Sequence, residues 1–123
     1  MNIALWIVQG VLALIFLMAG GMKYMQPKEK LAGQMAWVED FSQGQIRAIG
    51  ILEVLGAIGL VAPPLAGILP ILSPLAALGL MLTMVGAMIT HLRRGETQMI
   101  AINVVLLVLA LFVAYGRFVA LPF

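Results

Sequence analysis

Residues 46–62 read Ile46-Arg47-Ala48-Ile49-Gly50-Ile51-Leu52-Glu53-Val54-Leu55-Gly56-Ala57-Ile58-Gly59-Leu60-Val61-Ala62, and this stretch decides the fold. Apart from Arg47 and Glu53 it carries no polar side chain, and its length suits a helix crossing a hydrocarbon layer about 30 Å thick. Glu53 is the exception inside it. A carboxylate at membrane depth costs roughly 2.5 to 3.5 kcal/mol on insertion scales, so such a residue is expected to have a partner or a task.

Composition extends this reading to the whole chain. The 123 residues are 63% hydrophobic and 10% charged, and the mean hydropathy is +1.13. So much apolar surface exceeds what a chain of this length buries as a soluble globule, which makes it an integral membrane protein of one domain, residues 1–123. The absence of cysteine excludes disulfides, thiolate metal sites and thioether haem attachment, and the single histidine excludes bis-histidine haem within one chain. The net charge of +2 comes from cations that flank apolar runs, where they set orientation; nucleic acid is not an expected partner.

Four apolar runs predict an all-α, four-helix transmembrane bundle, with spans at about 3–22, 46–62, 74–92 and 99–118. The first reads as a retained span rather than a signal peptide cleaved near Ala19-Gly20-Gly21, since no Lys or Arg precedes it and it is long for a signal. The second is expected to stop at Pro63-Pro64, and the third to open on Ser73 as N-cap with Pro74 following. Between the first two spans, Leu31, Met35, Val38 and Phe41 recur at helical spacing among charged residues, which predicts a short amphipathic interfacial helix over about 28–41. The apolar, proline-broken loop 63–72 is expected to fold against the bundle, because bare backbone is not tolerated in lipid. Lys23, Lys28, Lys30, Arg47, Arg93 and Arg94 fall on one side and Arg117 alone on the other. By the positive-inside rule both termini are expected on the periplasmic or extracellular side of a multi-pass cell-membrane protein.

The polar residues follow stripes. Gln9, Ala13, Phe16, Gly20 and Lys23 share a face of the first span, and Gly50, Glu53, Gly56, Ala57 and Leu60 a face of the second. Gly79, Thr83, Ala87 and His91 step along the third, with Gly86 and Thr90 beside them, and Asn103, Leu107, Ala110, Ala114 and Arg117 along the fourth. Small and polar residues favour helix contacts over lipid, so these stripes are expected to meet in one core. Chain reversal then gathers Lys23, Arg47, Glu53, His91 and Asn103 at the basic end. Arg47 lies about 120° around the helix from Glu53, so the partner of Glu53 should come from another span: Lys23 or His91, or Thr90 or Asn103 if the acid is neutral.

The candidate ligand-binding or polar-core set is Lys23, Glu53, His91 and Asn103, supported by Gln9, Arg47, Thr83, Thr90 and Arg117. No catalytic or metal set is expected. Each residue also has a purely structural reading: Glu53 in a register-fixing pair, Lys23 and Arg47 as snorkelling anchors, His91 as a helix C-terminal cation, Asn103 as interhelical glue. Arg117 reads as an outer anchor beside Tyr115, and Trp6 and Tyr24 as interfacial belt residues.

At these positions the chain resembles the DoxX-like family of small four-helix membrane proteins. The resemblance rests on Phe16 to Lys23, on Ile49 to Leu60 with the proline pair after it, and on Pro74-Leu75-Ala76-Ala77. It continues through Gly86 to Glu96, Asn103 and Gly116-Arg117. It implies a multi-pass protein of the bacterial cytoplasmic membrane and marks Lys23, Glu53, His91, Asn103 and Arg117 as family-pattern positions without assigned roles. The family's name comes from a subunit associated with thiosulfate:quinone oxidoreduction. Relatives are linked to redox-stress complexes, and distant animal members to membrane-protein assembly.

Three functions fit the residues. The first is a non-catalytic subunit or assembly factor, embedded in the bilayer as a homo-oligomer or beside another membrane protein, with quinone or lipid as the ligand of its inward polar site. The second is an oxidoreductase component acting on quinone or lipid with Glu53 and His91 as acid and base. The third is a proton-coupled transporter using Glu53, as small multidrug resistance proteins use one membrane-embedded glutamate. No cofactor is evident from any motif.

Overall fold

The computed structural model describes residues 1–33, 37, 41–120 and 122. Helix α1 covers Asn2–Met25, α2 Lys28–Leu31, α3 Gln43–Ala66, α4 Leu72–Arg94 and α5 Thr97–Tyr115, the last running on as a π-helical stretch, Gly116–Ala120. The four long helices are each long and apolar enough to cross a membrane. They close a ring in which α1 lies beside α3 and α5, and α4 beside the same two. Leu12, Phe16, Ala57, Leu60, Ala77, Leu80, Met84, Ala110, Val113 and Ala114 form the core. In no span is more than 28% of the most apolar window buried within the chain, so most of the apolar surface faces outward, where lipid solvates it.

Three inward faces follow the sequence stripes. Gln9, Phe16, Gly20 and Lys23 are buried on α1, Gly50, Glu53, Ala57 and Leu60 on α3, and Asn103, Ala110, Ala114 and Arg117 on α5. The stripe on α4 is shifted: its buried face runs Ser73, Ala77, Leu80, Met84 and His91, while Gly79 and Gly86 are exposed. Thr83 and Thr90, only half-buried, donate to the carbonyls of Gly79 and Gly86 in their own helix, 3.0 Å each. A hydroxyl that satisfies itself one turn back has no need of the core, so threonine was a poor marker of the inward face.

Helix α3 is longer than expected at both ends. At its start Ser42 and Gln45 form a reciprocal capping box, Ser42 Oγ accepting from Gln45 N at 3.1 Å and Gln45 Oε1 from Ser42 N at 2.9 Å. At its end Pro63 and Pro64 lie inside the helix, which stops only at Gly67 in the left-handed conformation (φ 70°). Each proline removes one N–H donor, four residues after a carbonyl that then needs another partner. For Pro64 that carbonyl is Leu60, and it is doubly satisfied from other helices. Ser73, expected as an N-cap, is used here instead: α4 begins at Leu72 without a side-chain cap. The following loop does not fold inward as expected, since Ile68 and Leu69 are 66% and 63% exposed. Of the amphipathic helix expected over 28–41, the structure describes an α-helical turn at Lys28–Leu31, and residues 34–36 and 38–40, Met35, Val38, Glu39 and Asp40 among them, lie outside the described residues. Leu31 packs with Ile46, Met22, Trp37 and Phe41 over the basic end.

Helices α1 and α3 touch most closely where Gly20 faces Gly50. A Cβ on Gly20 would lie 2.6 Å from the Gly50 carbonyl oxygen, and one on Gly50 equally close to that of Gly20. Only glycine permits this approach, which brings the bases of Lys23 and Glu53 together. Gly20→Leu should therefore cost about 1 to 3 kcal/mol, read as a lowered thermal midpoint in detergent. Gly21→Ala, whose Cβ would meet nothing within 4 Å, should leave the midpoint in place.

Candidate functional site

The polar groups of the core separate into two clusters at opposite ends of the bundle. At the basic end Lys23, near the end of α1, reaches Glu53 on α3, Nζ to Oε1 at 2.5 Å, with the two side chains 10% and 2% exposed. The glycine contact one turn away fixes the separation of their backbones. Lys23 Nζ also sits 5.5 Å from the centre of the Trp37 ring, so that an aromatic face covers the ammonium from the loop side. Trp37 in turn meets His91 edge-on, ring centres 6.4 Å apart, and Phe41 at 5.6 Å.

His91 does not pair with Glu53. Helix α4 ends at Gly95 (φ 72°) in a tight reversal, Gly95 N donating to Leu92 O and Glu96 N to His91 O. That reversal returns the Glu96 side chain toward the helix, where Oε1 lies 2.8 Å from His91 Nδ1 and 3.5 Å from Arg94 Nε. Trp37 is thus the physical link between the Lys23–Glu53 pair and the His91–Glu96 pair. Asn103, one and a half turns into α5, is 6% exposed, and its Nδ2 has no hydrogen-bond partner among the described residues. Arg47 is exposed and forms no part of this cluster, because it lies around α3 from Glu53 as the helical wheel requires.

The opposite end holds a second cluster. The carbonyl of Leu60, left without a helical donor by Pro64, accepts from Gln9 Nε2 and from Ser73 Oγ, both at 2.8 Å. Gln9 Nε2 also donates to Ser73 Oγ at 3.0 Å, while Gln9 Oε1 accepts from Arg117 Nε at 2.8 Å. Arg117 Nη1 donates to Asn2 Oδ1 at 2.8 Å, and its guanidinium lies 5.5 Å from the Trp6 ring centre. Arg117 is 3% exposed, so it is no outer anchor; Tyr115, its expected companion, is 59% exposed. Gly116 lets the chain come in against Leu5, whose Cδ2 would lie 2.4 Å from a Cβ there. Gln9 and Arg117, taken from the sequence as supporting residues of one site, instead tie all four spanning helices together at the other end.

Among the described residues no group of three His, Asp or Glu side chains is placed to hold a metal ion. The basic end therefore offers a compensated ion pair covered by a tryptophan, a capped histidine and, on α5, an amide donor unused among the described residues. A family model described as the DoxX-like family matches residues 7–113. The chain belongs to the DoxX-like family. No curated protein and no solved structure matches it. The matched stretch of this DoxX-like chain includes Gln9, Lys23, Glu53, Ser73, His91 and Asn103, whereas Asn2, Trp6 and Arg117 lie outside it. Sequence reasoning overlooked Ser73, Trp37, Glu96 and Asn2 as partners. The Pro64 position and the Gly95-Glu96 step were the available signals for two of them.

Proposed function

We propose that this DoxX-like protein is a non-catalytic component of the bacterial cytoplasmic membrane, a subunit or assembly factor, with both termini on the periplasmic side. Its basic end receives the polar head of a quinone or a lipid. The observation that carries this reading is Asn103 Nδ2, a buried amide donor without a partner at the end where Lys23 and Trp37 lie. A buried donor left unmade costs about 1 to 3 kcal/mol, and a carbonyl oxygen of quinone or ester type supplies the acceptor it lacks. The Trp37 indole, which covers Lys23 Nζ at the same end of the bundle, offers a flat apolar surface for a ring.

The other two readings are less well supported. A proton-coupled transporter of cations needs a glutamate open to its substrate, and Glu53 already holds a tethered ammonium at 2.5 Å. An acid–base pair needs Glu53 and His91 to share a reacting atom, and each is engaged elsewhere, with Lys23 and Glu96 respectively.

The test uses Trp37 as the reporter in a Trp6→Phe background. Titrating a short-chain ubiquinone into the purified protein should quench the remaining fluorescence saturably. Asn103→Leu should abolish the saturable part without moving the thermal midpoint. Quenching that stays linear in both proteins, or survives intact in Asn103→Leu, would sink the ligand site.

A further inference from the structure

On the outer side of the α1–α3 seam an open groove of about 400 Å³ is lined by Leu17, Gly21, Tyr24, Met25, Ile51, Val54 and Leu55. It is uncharged along its length, and it owes part of its depth to Gly21, which has open space where a side chain would stand. Following α3 toward the basic end, Arg47 precedes Ile51 by four residues and Val54 by seven, which places it on the same face one turn beyond the groove. Arg47 is exposed and makes no hydrogen bond or ion pair with any described residue. Lys30 and Arg93 are exposed at the same end.

We infer that this groove is a binding site for an anionic phospholipid, one acyl chain lying between α1 and α3 and the phosphate held by Arg47. The shape favours a chain over a protein partner. A helix about 10–12 Å across would use up this volume in less than one turn, so a second copy could rest on the seam but not enter it. The charge favours an anionic headgroup: an exposed guanidinium with no partner among the described residues presents a fork of donors matched to a phosphate, and lies at the end of the bundle where basic residues gather. This site is separate from the inner polar cluster, since Arg47 and Glu53 point about 120° apart on α3.

Native mass spectrometry on protein purified in mixtures of phosphatidylglycerol and phosphatidylcholine tests the inference. The wild type should retain phosphatidylglycerol in preference. Arg47→Gln, an exposed substitution with no bearing on the fold, should lower that retention roughly fivefold, the equivalent of about 1 kcal/mol for one basic residue at an anionic surface. Gly21→Leu, whose Cβ has open space around it and whose side chain would occupy the groove, should reduce retention of both lipids. Unchanged phosphatidylglycerol retention in the two variants overturns the site. So does efficient disulfide formation between copies carrying Gly21→Cys in this otherwise cysteine-free chain, which would place a second protomer on the seam.

Discussion

Lys23→Met should destabilise the bundle by about 3 to 5 kcal/mol, and Glu53→Leu by distinctly less, although each removes one half of the same pair. The asymmetry comes from reach. Lys23 stands two residues from the end of α1, and with Glu53 gone its long side chain can turn toward the interface and put the ammonium in water. Glu53 stands ten residues into α3, about 15 Å along the helix, with a side chain too short to leave. Without Lys23 it has no partner among the described residues. The double variant, Lys23→Met with Glu53→Leu, should recover to within about 1 kcal/mol of the wild type or exceed it, because replacing a buried pair with apolar side chains of similar size removes the desolvation cost of both charges. Unfolding in mixed detergent and dodecyl sulfate, followed by circular dichroism, reads all four proteins. Single variants that both match the wild type would show that the pair holds nothing together. A double variant that is stable yet has lost saturable quinone quenching would assign the pair to ligand binding as well as to register.

How much of this could be read beforehand depended on where each interaction was encoded. Glu53 and Lys23 were legible as partners because period, depth and chain reversal are all properties of the sequence, and Gly20 and Gly50 sat on the same stripes. The inward stripes of α1, α3 and α5 were legible for that reason too. The stripe of α4 was not, since Thr83 and Thr90 are polar in composition but satisfied within their own helix. The reading failed most at the terminal end. The proline pair at Pro63 and Pro64 predicts the end of the second span, whereas prolines in the last turn cost a helix only the donors they lack, and two further residues, Leu65 and Ala66, continue it. Once α3 runs through Pro64, the bare carbonyl of Leu60 must be served from outside. That requirement draws Ser73 and Gln9 into one cluster and, through Gln9, Arg117. Which side chains meet across helices that are 13 to 108 residues apart in sequence is a tertiary fact, and no local period announces it.

The two ends are built on different physics, which makes the second large effect separable from the first. The terminal cluster contains one formal charge and five neutral partners, and its centre is a backbone carbonyl with both lone pairs in use. Gln9→Leu removes a donor to Leu60 O and to Ser73 and the acceptor for Arg117 Nε in one step. The Leu60 carbonyl keeps Ser73, but a buried guanidinium loses a neutral acceptor. The expected loss is about 2 to 4 kcal/mol, set by a buried group left short of partners. Pro64→Ala alone should be nearly neutral: the new N–H competes for a carbonyl already occupied, and the helix gains a better residue. The informative protein is the double variant. If Pro64 is what exposes the Leu60 carbonyl, then restoring the backbone donor compensates part of the loss of Gln9, and Gln9→Leu should cost about 1 kcal/mol less in the Pro64→Ala background than in the wild type. Additive effects would mean that Gln9 acts through Arg117 alone and that the proline is incidental. Arg117→Leu resolves that alternative directly, since it removes the charge while leaving Gln9, Ser73 and the Leu60 carbonyl in contact, and the Gln9–Pro64 coupling should persist without it.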